Sequence, residues 1–144
     1  MRCFFVNLTQ NGSIGAPELR AAAARQQSAA TSYYQSVTEI PQRTVDELAD
    51  ALATGACLVD VREIAEYAEG HAPGAILIPL SQVSESLDQL ASDSPIWVIC
   101  RSGGRSQRAC EYLVQHGYEA INVTGGTLAW IESHRDLVAG MERG

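Results

Sequence analysis

Four consecutive apolar residues, Ile96-Trp97-Val98-Ile99, run directly into Cys100-Arg101-Ser102-Gly103-Gly104-Arg105-Ser106, and a helical pattern begins on the far side of that loop. An unbroken apolar run closed by a glycine turn suits a strand covered on both faces, as strands of a parallel sheet are. The chain repeats this alternation from Thr38 onward, which predicts strands over residues 38–42, 57–61, 75–78, 96–99 and 120–123. Between them lie helical stretches. Thr44 and Glu47 have the spacing of a capping box ahead of Val45, Leu48, Ala51 and Leu52, and Gly55 is placed to end that helix. Residues 81–90 carry Val83, Leu87 and Leu90 on one side, and residues 106–116 bury Ala109, Cys110, Leu113 and Val114 before Gly117. A last helix containing Leu128, Trp130 and Ile131 follows Gly125-Gly126. The expected architecture is α/β, an open parallel sheet of about five strands flanked by helices on both sides.

The chain has 144 residues, 46% of them hydrophobic, which is material for one core. Residues 1–37 have no strong period, are rich in Ala, Gln and Ser, and hold Glu18 as their only acid. They read as an N-terminal extension, flexible or a loosely docked helix starting at Pro17, with a transit peptide as the alternative. Residues 38–144 form the expected domain. A net charge of −7 argues against a nucleic-acid partner, which requires clustered cations to displace counterions. No segment approaches the roughly 20 apolar residues of a membrane span, so neither membrane nor nucleic acid is an expected partner and the expected location is cytoplasmic. Cys3, Cys57, Cys100 and Cys110 lack zinc-site spacing, so no metal is expected. Free thiols are the expectation, with Cys57 and Cys110 as small core residues.

The segment from Cys100 to Ser106 carries the chemistry. It stands at the carboxyl end of a strand, where ligands gather in open α/β sheets. Two glycines let the backbone curl so that successive amides point inward and hold an anion. Arg101, Arg105 and Arg108 cluster there within an otherwise acidic protein, which focuses small anions onto one place. A thiol so placed is expected to be acidic, because a helix N-terminus supplies about half a positive charge and the arginines add to it. None of His71, His116 and His134 adjoins Cys100 in sequence, and the electrostatics require no histidine base. Arg101 and Arg105 are expected to attract an oxyanion, with plain solvation as the alternative for one of them. Asp60 and Arg62 end a neighbouring strand and are expected to support the loop. His71 is expected to fix a turn, and Trp130 to cap the core.

Cys100 to Ser106 resembles the active-site loop of single-domain rhodaneses. Asp60-Val61-Arg62, Glu66-Tyr67, Gly70-His71, Pro73-Gly74-Ala75 and Pro79 upstream, with Gly117-Tyr118, Gly125-Gly126 and Ala129-Trp130 downstream, are similar to the same family's marks in the same order. Ala72 stands where the family often has Ile. The resemblance implies a thiosulfate sulfurtransferase without cofactor. Cys100 would take a sulfane sulfur from a small anionic donor such as thiosulfate, hold it as a persulfide, and pass it to cyanide, a thiol or a sulfur-relay protein. Arg101, Ser102, Gly103, Gly104, Arg105 and Ser106 would then bind the substrate. Two other readings compete. A cysteine phosphatase or arsenate reductase would need arginine at position 106, which is Ser106, and a non-catalytic docking module would have no need of a reactive cysteine.

Overall fold

The computed structural model describes residues 39–144, so the expected extension and its helix from Pro17 lie outside the described residues. Five strands form one all-parallel sheet: β1 (Gln42–Arg43), β2 (Cys57–Asp60), β3 (Ile76–Leu77), β4 (Ile96–Ile99) and β5 (Ala120–Val123), in the order β1-β5-β4-β2-β3. The unbroken apolar run of β4 therefore occupies the centre of the sheet. In register, Asp60 pairs with Ile99 and Val98 with Asn122, so the ends of β2 and β5 flank the residue that precedes Cys100.

Side chains alternate between two cores, as a pleated strand requires. Val59, Ile96, Val98, Cys100, Ala109, Cys110 and Leu113 belong to one, and Leu48, Leu58, Tyr67, Ile99, Val123 and Trp130 to the other. Each fully buried aliphatic side chain contributes about 1.5–3 kcal/mol, so the doubly covered strands anchor the loop that follows them. Helices α1 (Val45–Ala53), α2 (Ile64–Glu69) and α5 (Gly126–Glu132) contribute to the second core, and α3 (Val83–Ser86) and α4 (Gly104–Gln115) to the first. Thr44 caps α1 by accepting the Glu47 amide at 3.2 Å.

Several expectations shift. β1 covers two residues rather than 38–42, because Pro41 has no amide to donate to the ladder, although its carbonyl accepts from Asn122 at 2.9 Å. Residues 81–90 do not form one helix. The 3-10 turns Leu80–Gln82 and Leu87–Gln89 flank the single turn α3, in a stretch where Ser81, Ser84, Ser86 and Asp88 are poor helix formers. Val83 and Leu90 are buried nonetheless. Cys57 is disulfide-bonded, which corrects the expectation of free thiols throughout, whereas Cys100 and Cys110 are free. Burial pushes the Cys110 thiol up to about 12, and the side chain is fully enclosed, in keeping with a core role. No helix among the described residues is long and apolar enough to cross a membrane.

Candidate active site

Cys100 ends β4 and is 1% exposed. Its carbonyl is held from the other side of the sheet. The Thr127 amide donates to it at 2.8 Å and the Thr127 hydroxyl at 3.0 Å, while the Leu128 amide donates to the Arg101 carbonyl at 3.1 Å. The first turn of α5 thus clamps two successive carbonyls of the loop. This contact admits no side chain. A Cβ on Gly126, whose φ is +59°, would stand 2.5 Å from the Arg101 oxygen and 2.6 Å from the Cys100 oxygen.

With its carbonyls turned outward, the loop offers amides to the sulfur. The Gly103 amide donates to Cys100 Sγ at 3.1 Å, from a residue at φ 117°, ψ −12° where glycine is favoured. Ser106, fully buried in the first turn of α4, places its hydroxyl 3.3 Å from the same sulfur. Burial pushes the Cys100 thiol up, but hydrogen bonds from the Ser106 hydroxyl and from the amides of Ser106, Gly103 and Ser102 outweigh it. The net value lies below that of an ordinary cysteine. The expectation of an acidic thiol holds, but hydrogen bonds aimed at the sulfur are the leading source of the lowering rather than the arginines. Because the thiolate is favoured at Cys100 and disfavoured at Cys110, iodoacetamide is expected to modify Cys100 with a midpoint below the free-thiol value while Cys110 stays unmodified at neutral pH. Peptide mass mapping across a pH series checks both, and equal labelling of the two thiols would contradict the account.

The arginines divide. Arg101 is exposed on the loop with Ser102 and Gly104. Arg105 instead forms a bidentate pair with Glu66 of α2, Nη1 to Oε2 at 2.8 Å and Nη2 to Oε1 at 2.9 Å. The Arg105 guanidinium holds the Glu66 carboxyl down at about 2. Glu66 Oε2 also accepts the Glu63 amide at 3.0 Å, so the carboxylate caps α2 and tethers the loop at once. Sequence reasoning marked Glu66 only as a family residue. The signal that locates it is the capping spacing Glu63 to Glu66, which also predicts the unanticipated helix α2.

Asp60 and Arg62 meet at the carboxyl end of β2 as a buried ion pair. Arg62 Nη2 donates to Asp60 Oδ2 at 2.7 Å, its Nε lies 3.0 Å from both carboxylate oxygens, and its amide donates to Oδ1 at 3.0 Å. The remaining reach of Arg62 Nη2 goes to the Gly70 carbonyl at 2.9 Å, which ties β2 to the turn containing His71. His71 is buried and stacked on Tyr67 at 3.6 Å, with its ring nitrogens against the Tyr67 and Glu142 carbonyls, so it fixes a turn as expected. Trp130 is likewise buried, with its indole N–H donating to the Asp136 carbonyl at 2.8 Å.

Asn122, Thr127 and Gln42 were not anticipated. Asn122 of β5 is 4% exposed and accepts from the Ser106 hydroxyl at 2.5 Å. An open groove lined by Gln42, Ser102, Gly103, Gln107, Asn122 and Thr124 lies beside the loop. Its surface is carboxamide, hydroxyl and backbone, with no charged side chain among these residues. No group of three or more His, Cys, Asp or Glu among the described residues is arranged to hold a metal ion.

Comparison with known proteins gives a consistent result. Residues 44–133 match the family model described as a rhodanese-like domain. A sulfurtransferase of Allochromatium vinosum is 36% identical over 105 residues, covering 72% of this chain and 96% of that protein. A thiosulfate sulfurtransferase of Glaesserella parasuis is 30% identical over 86 residues, covering 59% of this chain and 80% of its own length. Among solved structures, a rhodanese-related protein from Thermoplasma volcanium superposes with a TM-score of 0.65 at 32% identity, covering 71% of this chain and 99% of that one.

Proposed function

The chain belongs to the rhodanese-like family and is a sulfurtransferase, and from that premise we propose that residues 38–144 are its rhodanese domain and Cys100 its sulfur carrier. In this reading the Cys100 thiolate attacks the outer sulfur of thiosulfate. The sulfur–sulfur bond of the donor breaks with its electron pair leaving on sulfite, and Cys100 becomes a persulfide. Cyanide, a thiol or a sulfur-relay protein then attacks the outer sulfur and expels the Cys100 thiolate. The choice of thiosulfate rests on its agreement with the Glaesserella relative's name and with a loop suited to a small anion.

The observation that carries the reading is the convergence of the Gly103 amide and the Ser106 hydroxyl on one buried sulfur at the carboxyl end of the central strand. The Gly103 amide, a main-chain donor fixed before the reaction, stabilises charge on that atom without reorganising, and the Ser106 hydroxyl stands within reach of it. Arg101, exposed at the rim, is the residue positioned to meet the oxyanion end of the donor. Ser102, Gly103, Gly104 and Ser106 bind through amides and hydroxyls, and Arg105 acts through its pair with Glu66 to hold the ring in shape. Asp60 and Arg62 support it from the carboxyl end of β2.

Incubation with thiosulfate followed by intact-mass measurement tests the proposal. The expected result is a gain of one sulfur atom, release of sulfite, and loss of the added mass on treatment with cyanide. A protein that gains no mass from thiosulfate but gains it from another persulfide would remove thiosulfate from the reading, and an adduct mapped to Cys110 would remove Cys100.

A further inference from the structure

A serine hydroxyl has one proton to donate, and Ser106 faces three acceptors. Its oxygen lies 3.3 Å from Cys100 Sγ, 3.2 Å from the Gly103 carbonyl and 2.5 Å from Asn122 Oδ1. The shortest contact is the one to Asn122. The orientation of that amide is fixed, because Asn122 Nδ2 faces three oxygens: Gln42 Oε1 at 2.8 Å, Gly103 O at 3.3 Å and Gln107 Oε1 at 3.3 Å. Turning the amide over would set its oxygen against all of them. Gln42 is itself locked, donating through Nε2 to Gln107 Oε1 at 2.7 Å. The carboxamides therefore hold an acceptor permanently beside the hydroxyl.

We infer that Asn122 is a positioning residue that competes with Cys100 for the Ser106 proton. While Cys100 is a thiol, its S–H donates to the Ser106 oxygen and the hydroxyl donates to Asn122 Oδ1. When the sulfur becomes an anion it can no longer donate, and the hydroxyl turns from Asn122 to the sulfur. Ionisation breaks the S–H bond and releases its proton to solvent, and with it the hydrogen bond from sulfur to Ser106; the turn of the hydroxyl that follows breaks no covalent bond and exchanges its hydrogen bond to Asn122 for one to the sulfur. The hydroxyl is thus withheld from the resting thiol and delivered to the thiolate. The same exchange would accompany the expulsion of Cys100 from its persulfide, a consequence that rests on the sulfur-transfer reading above. Without Asn122 the hydroxyl would lose its shortest acceptor and be left with the sulfur and the Gly103 carbonyl, so the site would ionise more readily rather than less. That sign separates a proton competitor from a residue that only braces the loop, whose loss would disorder the donors and raise the thiol's value.

The test is the pH dependence of iodoacetamide labelling at Cys100, read by peptide mass, in Asn122→Ala and Gln42→Ala, each also made with Ser106→Ala. Asn122→Ala is expected to lower the labelling midpoint by about one unit, the scale of one hydrogen bond to a charged group. Gln42→Ala, which removes one of the three anchors of the amide, is expected to lower it by less. Both shifts should vanish when Ser106 is alanine. An unchanged or raised midpoint in Asn122→Ala, or an equal shift with and without the Ser106 hydroxyl, would overturn the inference. Gln42 is exposed, so if thermal melting shows Asn122→Ala to be unfolded, the Gln42→Ala pair alone decides on the same criteria. Labelling needs no sulfur donor. A protein that takes no sulfur from thiosulfate but shows the Ser106-dependent shift would reject the transfer reading and keep this one, and the converse result would do the opposite.

Discussion

Replacing Cys100 with serine is expected to abolish the sulfur adduct and to lower sulfite release from thiosulfate by at least about a thousand-fold, the scale on which loss of a covalent nucleophile is felt. The substitution changes one atom and leaves its surroundings able to persist. The Gly103 amide and the Ser106 hydroxyl can still donate to an oxygen in the same place, and Thr127 can still hold the residue 100 carbonyl. The fold should therefore melt close to its usual temperature, so that the loss is one of chemistry. A serine hydroxyl at neutral pH is neither ionised nor able to store sulfane sulfur. Cys110 is no substitute, being enclosed in the core with its thiol pushed up to about 12. Steady turnover by the serine variant would mean that the sulfur travels by another route.

The second large effect is on stability. Arg62→Ala is expected to cost roughly 3–5 kcal/mol, because it strands a carboxylate that is 0% exposed without its counter-charge. For a domain of about a hundred residues that corresponds to a fall in melting temperature of roughly 15 °C or more. Asp60 would keep the residue 62 amide as a donor but lose the three guanidinium contacts, and the Gly70 carbonyl would lose its partner too. Replacing both ends of the pair with apolar residues of similar size should be far milder, since the uncompensated charge is what costs most. Urea unfolding of the three proteins checks the ordering. A single-variant loss below about 1 kcal/mol would place the pair among weak surface-like bridges. Because Asp60 stands in register with Ile99, the last residue before Cys100, the destabilisation should reach the reactive loop as well.

What could be read from the residues depended on how local the signal was. β4 and β5 match their expected bounds, because an unbroken apolar run of four residues has few other uses. Helix α4 matches in place but begins two residues earlier, since Gly103 rather than Gly104 makes the turn. The expectation of Cys100 at a strand end, ringed by amides, follows from sequence order alone. The partners of that ring do not. Glu66 reaches Arg105 across 39 positions and Asn122 reaches Gln42 across 80, and nothing in either neighbourhood announces the other. Asn122 sits in a strand that reads as apolar, where a single amide looks like an interruption until the serine opposite it is known. Helix α2 was missed for a different reason. Its six residues are too short for a hydrophobic period to emerge, and only the glutamate pair at its start marks it.

The grip of α5 on the loop has a further implication. Main-chain groups supply much of what holds the sulfur, through the amides of residues 102, 103 and 106 and the carbonyls fastened beside Gly126. Such groups survive almost any exchange of side chain. Selection can therefore rewrite the outward-facing Arg101 and Ser102 to suit a new donor or recipient while the reactive atom keeps its character, so diversification of clientele and preservation of reactivity fall to separate parts of the polymer.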